Sequence, residues 1–180
     1  MKALQMPVIV LVFVVSVLSG CANETRKSPD ESVNIRKSLD QAGLQNVRVS
    51  QDRDKGVVTL SGGVPSEDDK MRATTIAKSV APGEVVSAEI AVVPPGDSDA
   101  KTVNSDRDKG IEKNLDAALT QNRLNKGVKY DVKNGVVTLT GEVNSSTRRA
   151  EAQKVAASVP NVQQVVNKLD LKNQKATSSN

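Results

Sequence analysis

Apolar residues recur along the chain at helical and strand spacings, and this pattern predicts the same elements twice. A spacing of three or four residues, typical of an amphipathic helix, opens each set at Ile35 and Leu39, then at Ile111, Leu115 and Leu119. Alternating apolar residues, typical of a strand with one buried face, follow at Val47 and Val49, then at Val128, Tyr130 and Val132. Each set therefore begins with a helix and a strand.

A seven-residue segment follows each of these strands and is nearly identical in the two sets. Residues 56–62 read GVVTLSG, and residues 135–141, which lie 79 positions later, read GVVTLTG. Asn134 and Gly135 form the pair that favours a tight hairpin turn, whereas residues 52–56 predict a longer turn. A repeat at this spacing indicates that one structural unit is present twice.

A second helix and a last strand complete each unit. The helix carries a stripe of mostly small apolar residues at Ala73, Ile76, Ala77 and Val80, then at Ala152, Val155, Ala156 and Val159. The last strand alternates through Val86, Ala88, Ile90 and Val92, then through Val165, Asn167, Leu169 and Leu171. With a right-handed crossover, the order αββαβ predicts an α+β fold: two modules, each a three-stranded mixed sheet with both helices on one face.

Composition divides the rest of the chain into connecting segments. The two modules are predicted at residues 31–93 and 106–172. Residues 94–105 begin with Pro-Pro-Gly and predict a linker, residues 21–30 a polar tether, and residues 173–180 a disordered tail.

Residues 1–20 are predicted to be a signal peptide. Lys2 supplies a positive charge, residues 8–17 are an apolar run, and Leu18-Ser19-Gly20-Cys21 resembles a lipobox. The resemblance implies cleavage before Cys21 and lipidation of its sulfur. We expect a lipid-anchored envelope protein at the outer membrane, facing the periplasm. An ordinary secretory leader and a transmembrane helix are the alternatives, but the run is short for a span of about 20 residues.

The residue inventory excludes several function classes. The chain has no His and no Trp, and its Cys count is one. Without His, the common nucleophile triads and zinc sites are missing, so we expect no enzyme, no catalytic residue, no cofactor and no metal. Tyr130 is the sole aromatic residue after the leader, which disfavours base stacking. The pI of about 9.2 would suit DNA, but the export signal does not, so no nucleic-acid partner is expected.

The repeated strand, the Ala-x-x-[Ile/Val]-Ala-x-Ser-Val helix and the VQQVVNKL ending at residues 162–169 resemble the BON domain. A lipobox followed by two such domains is similar to the dual-BON lipoproteins of the bacterial envelope. The resemblance implies support of envelope integrity, a link to osmotic stress, and binding of anionic phospholipid through the second domain. The first unit departs from the pattern at Ala81-Pro82-Gly83-Glu84, which leaves its role open.

Charge distinguishes the two units. Residues 30–96 hold eight Lys/Arg and ten Asp/Glu, a net charge of −2, whereas residues 106–175 hold thirteen and eight, a net charge of +5. The second unit therefore suits an anionic surface, with membrane phospholipid as the expected partner. The runner-up is a protein-interaction or chaperone-like stress module that docks another envelope protein through its open sheet faces or edges.

Two groups of residues are candidates for lipid binding. The start of the second unit's second helix carries hydroxyls and cations at a positive helix end, where they could cradle a phosphate: Ser145, Ser146, Thr147, Arg148 and Arg149. A second basic group consists of Arg123, Lys126, Lys129 and Lys133. The alternative for both groups is an ordinary solvated face.

Overall fold

The computed structural model describes residues 27–96 and 99–172. The first module comprises α1 (Ser32–Gln41), β1 (Val47–Asp52), β2 (Val57–Val64), α2 (Glu67–Val80) and β3 (Val85–Val92). The second comprises α3 (Ala100–Gln121), β4 (Val128–Lys133), β5 (Val136–Val143), α4 (Ser146–Ala157), β6 (Gln164–Asn167) and β7 (Asp170–Leu171). The predicted αββαβ order is confirmed in both modules. The predicted signal peptide, Cys21 and the predicted tail at residues 173–180 lie outside the described residues.

Each module has the predicted mixed sheet. In the first, β1 pairs antiparallel with β2, and β2 pairs parallel with β3. In the second, β4 pairs antiparallel with β5. The first part of β5 pairs parallel with β6, and its last two residues pair parallel with β7. The last strand of this module is therefore interrupted between Asn167 and Asp170, where the Asn167 side-chain oxygen accepts a hydrogen bond from the Leu169 N–H at 3.2 Å.

A separate apolar core lies between the helices and the sheet of each module. The predicted stripes are inside, and the buried helix residues are Ile35, Leu39, Ala73 and Ala77 in the first module and Ile111, Leu115, Leu119, Ala152 and Ala156 in the second. The side chains of Ala73, Ala77, Ala152 and Ala156 are fully buried, and such small side chains allow a helix to lie close to a sheet. Both helices therefore cover one face, as predicted.

The last glycine of the repeated segment allows β2 and β5 to approach their antiparallel partners closely. Gly62 has a φ of 120° and Gly141 has a φ of 107°, a region that favours glycine. A Cβ atom on Gly62 would lie 2.2 Å from the carbonyl oxygen of Asn46, and one on Gly141 would lie 2.2 Å from that of Gly127. The glycine is thus required where the strand pairing begins.

The described parts of the predicted linker and tether contact the folded modules. Because α3 begins at Ala100, residues 100–105 are helical rather than part of a linker. The extended α3 reaches the hairpin of its own module, where the Asp108 carboxylate accepts hydrogen bonds from the backbone N–H groups of Asn134 at 2.6 Å and Gly135 at 2.9 Å. In the predicted tether, Ser28 donates its N–H to the Arg53 carbonyl at 3.0 Å. This hydrogen bond attaches the end of the tether to the β1–β2 turn.

Part of the helix-free face of each sheet is covered by the other module. Val57, Val136 and Val166, which all point away from their own helices, form one buried cluster between the modules. The Gln164 side chain also bonds the outer edge of β3, donating to the Val86 carbonyl at 2.7 Å and accepting from the Ala88 N–H at 3.2 Å. The predicted modules had open sheet faces, whereas the structure partly closes them.

Charged pairs join the turn of the first module to the last strand of the second. The Lys168 ammonium lies 3.3 Å from the Asp52 carboxylate, and Lys55 pairs with Asp170. Burial raises the pKa of Asp52, but hydrogen bonds from the Lys55 backbone N–H and the Lys168 side chain outweigh it and lower that pKa overall. These pairs hold Asp52 in its ionised form beside the second module.

Candidate functional site

Four chain segments of the second module meet at one end of its sheet. The loop after α3 contributes Arg123 and Lys126, the β5–α4 connection contributes Asn144, α4 contributes Arg148, and the chain after β7 contributes Lys172. The loop lies directly against the end of β5, because Glu142 donates its N–H to the Gly127 carbonyl at 2.9 Å. The sheet therefore brings together side chains that are distant in the sequence.

These segments enclose an open depression of about 340 Å³ that is lined mainly by basic residues. The lining residues are Arg123, Lys126, Gly127, Glu142, Val143, Asn144, Arg148 and Lys172. The depression is therefore lined by four cations and one carboxylate, that of Glu142. We call Arg123, Lys126, Arg148 and Lys172 the basic cluster. Its excess positive charge produces a local potential that attracts an anion, and the Asn144 amide adds hydrogen-bonding capacity.

Arg148 is the member of the basic cluster with a fixed geometry. Its guanidinium donates a hydrogen bond to the Arg123 carbonyl, which ties the start of α4 to the loop after α3. Arg123 has a φ of 55°, and this backbone conformation turns the chain sharply after α3 and directs it back to β4. The pair positions a guanidinium at the rim of the depression, and a guanidinium can bind a phosphate in a bidentate manner.

The predicted cradle at the start of α4 is only partly assembled. Ser145 is the N-cap of the helix, and its hydroxyl oxygen accepts a hydrogen bond from the Arg148 N–H at 3.2 Å. This bond occupies a backbone N–H of the first helical turn, so that group is not available to an anion. Ser146, Thr147 and Arg149 do not line the depression, so only Arg148 of the five predicted cradle residues reaches it with its side chain.

The second predicted basic group is divided between two surfaces. Arg123 and Lys126 join the basic cluster, whereas Lys129 and Lys133 lie on β4 with their side chains opposite the core residue Val132. The Lys133 ammonium lies 3.1 Å from the Asp131 carboxylate, and the hydrogen bond between them raises the pKa of Lys133. Asp131 therefore offsets part of the charge on this strand.

Lys172 is the cluster residue that sequence reasoning missed. It directly follows Leu171, the last apolar residue of the alternating strand, and its backbone N–H donates to the Val143 carbonyl at 2.7 Å. The strand alternation could have placed it at the end of the sheet, beside the start of α4. The net charge of the second unit carried no information on which of its cations converge.

Membrane spans and metal sites are both absent from the described part of the chain. Across residues 27–96 and 99–172, no helix is both long and apolar enough to cross a bilayer. In the same ranges, no group of three or more carboxylate or thiol side chains is arranged to hold a metal ion. What the basic cluster offers a ligand is positive charge and hydrogen-bond donors.

Comparison with known proteins identifies a family. The family model described as BON domain matches residues 32–94 and 107–173, which is most of the chain. No curated protein matches the sequence. Two similar solved structures both come from CdsD, a structural protein of the type III secretion system of Chlamydia trachomatis: one has 15% identity over 79% of this chain and the other 13% over 78%. Both have a TM-score of 0.33, and the chain spans only 65% and 60% of their lengths.

Proposed function

The chain belongs to the BON domain family, and from this premise we propose that its second module binds anionic phospholipid at the surface of an envelope membrane. The observation that carries the proposal is the convergence of four cations on one depression of this module, opposite one carboxylate. A phosphate group matches the charge of this site and the geometry of its guanidinium groups. The protein acts in this proposal as a binding module that supports envelope integrity, without catalysis.

The contrast between the modules supports this assignment to the second one. The helix α2 of the first module corresponds to α4 of the second. Its first turn is occupied by Glu67, Asp68 and Asp69. Acidic side chains there complement the helix dipole but repel a phosphate. The first module also has a net charge of −2 over residues 30–96, so an anionic membrane attracts it less than the second.

Vesicle flotation tests the proposal. A soluble form spanning residues 22–180 retains every described helix and strand and is expected to float with vesicles that contain phosphatidylglycerol. It should not float with vesicles made of phosphatidylcholine alone. Binding should weaken as salt rises, because the Debye length falls from about 10 Å at 0.1 M to about 3 Å at 1 M. Equal flotation on both vesicle types, or no flotation on either, would contradict the proposal.

We also propose that Cys21 carries the lipid anchor. Acyl chains contribute about 0.8 kcal/mol for each buried CH₂ group, so a lipidated Cys21 would supply most of the membrane affinity. A full-length Cys21→Ala variant that is exported and cleaved is expected to leave the membrane fraction in a high-salt wash, whereas the native protein should remain. Retention of the variant through that wash would show that another segment holds the protein to the membrane.

A further inference from the structure

The first module has its own depression at the corresponding end of its sheet, and its chemistry differs from that of the basic cluster. This groove has a volume of about 660 Å³, and its lining includes Arg48, Gly63, Pro65, Ala91, Val93 and Lys101. It extends over the ends of β1, β2 and β3 on the side away from the helices, and the start of α3 contributes one wall. We call it the aliphatic groove.

Three substitutions between the repeats contribute to the difference. At an offset of 79 positions, Gly63 corresponds to Glu142, Pro65 to Asn144, and Val93 to Lys172. At each of these three positions the first module therefore has a small or apolar residue, and the second has a polar or charged one. Loss of the Glu142 side chain opens the floor, and Val93 in place of a lysine gives the groove an apolar surface.

The charges that the described residues bring to the groove are of one sign. Arg48 lies on β1 and Lys101 on α3, so the two cations stand on different walls, and none of the described carboxylates lines the groove. Neither side chain makes an ion pair or hydrogen bond with another residue in ranges 27–96 and 99–172. An aliphatic floor between two cations without acidic partners is complementary to an apolar group that carries a negative charge.

The shape of the groove selects among apolar partners. A bound peptide strand would need an open sheet edge for its backbone hydrogen bonds, but the groove lies over the face of the sheet. Strand pairing already uses the backbone there, as where Val93 donates its N–H to the Val64 carbonyl at 2.8 Å. An acyl chain needs no such bonds, because burial of its methylene groups supplies the affinity.

We propose that the aliphatic groove binds the acyl chain of an anionic amphiphile, with Arg48 and Lys101 contacting its head group. This site is independent of the basic cluster and takes a different part of a lipid molecule: the chain rather than the phosphate of a bilayer. A fatty acid and a lysophospholipid share the required chemistry.

Titration of residues 22–180 with three probes tests the proposal by calorimetry and amide chemical shifts. Dodecyl phosphate, used below its micelle-forming concentration, is expected to bind and to shift the amides of Gly63, Ala91 and Val93. Dodecyl maltoside has the same chain without charge and should bind at least tenfold more weakly. Glycerol phosphate has the charge without the chain and should not shift these amides. Equal binding of glycerol phosphate and dodecyl phosphate would overturn the proposal.

Two variants connect the binding to the groove. Gly63→Leu should fit, because its Cβ would lie 3.8 Å from the Ala91 carbonyl oxygen and 3.9 Å from a Val93 methyl, and its φ is outside the left-handed region. It should fill the groove and weaken dodecyl phosphate binding at least tenfold. Gly110→Leu places the same side chain on α3, with nothing within 4 Å of its Cβ, and should bind like the native protein.

The outcomes separate this proposal from the function of the second module. Gly63→Leu should float with phosphatidylglycerol vesicles as the native protein does, because the basic cluster is unchanged. If Gly63→Leu unfolds, Val93→Lys replaces it in the same binding test. This variant introduces, at the rim of the groove, the lysine that the second module has at Lys172. Native affinity for dodecyl phosphate in either folded variant, or shifts confined to the second module, would overturn the proposal for the aliphatic groove.

Discussion

Reversing the charge of Lys126 and Lys172 together is expected to weaken binding to phosphatidylglycerol vesicles by about a thousandfold. Each cation near an anionic surface contributes about 1 kcal/mol, and a reversal both removes that attraction and adds a repulsion. Two reversals therefore cost about 4 kcal/mol, at about 1.4 kcal/mol for each factor of ten. Neither side chain bonds another residue in the described ranges, so Lys126→Glu with Lys172→Glu should fold normally. Vesicle flotation at low salt measures the loss.

The matched control reverses Lys129 and Lys133 on β4, which changes the net charge by the same amount. These lysines project from the strand rather than into the depression, and Asp131 already offsets part of their charge. Their reversal should reduce binding by no more than about tenfold, through the weaker field of the whole module. If the β4 pair abolishes flotation while the Lys126 and Lys172 pair does not, the strand face is the lipid site and the basic cluster is not.

Replacing Gly141 with alanine is expected to destabilise the second module by about 3 kcal/mol, which is large for the addition of one methyl group. The new Cβ would lie 2.2 Å from the Gly127 carbonyl oxygen, and the residue has a φ of 107°. The strain comes from backbone atoms, so rotation of a side chain cannot relieve it. Chemical denaturation of residues 22–180, followed by far-ultraviolet circular dichroism, should show an earlier transition.

The same substitution at Gly110 is the control and should act in the opposite direction. Gly110 lies inside α3, where an added Cβ would meet nothing within 4 Å, and its φ is outside the left-handed region. Alanine there should stabilise the protein by about 0.5–1 kcal/mol, because glycine in a helix interior costs that much relative to alanine. A Gly141→Ala protein as stable as the native chain would mean that the backbone at Gly127 does not approach β5 so closely.

The local periodicities of the sequence determined the elements and the internal core of each module. Ile111, Leu115 and Leu119 recur every four residues, and a helix buries all three on one side while it leaves Lys113 exposed, which a strand would not. The two GVVTL segments identified the repeat, and the Asn-Gly pair predicted the hairpin between β4 and β5. These features were predictable because burial on one face of an element depends on residues close together in the sequence.

The packing of the modules against each other was not predicted, although the sequence held a signal for it. Val57 and Val58 are adjacent, as are Val136 and Val137, so each strand begins with apolar side chains on both faces. A strand that is apolar on both faces is typical of burial on both sides. The Val57, Val136 and Val166 cluster supplies that second burial, but which surface would cover these residues depends on the tertiary structure.

The sequence by itself determined the BON family, the two modules and the basic character of the second, because these follow from local pattern and from counting charges. Only the tertiary structure decided which cations lie close together. Arg123, Arg148 and Lys172 come from three separate segments, and the end of the sheet brings them to one depression. Arg149 is adjacent to Arg148 but points elsewhere, because successive residues of a helix project about 100° apart. Proximity in sequence therefore grouped Arg148 with Arg149, whereas the fold places Arg148 beside Arg123 and Lys172.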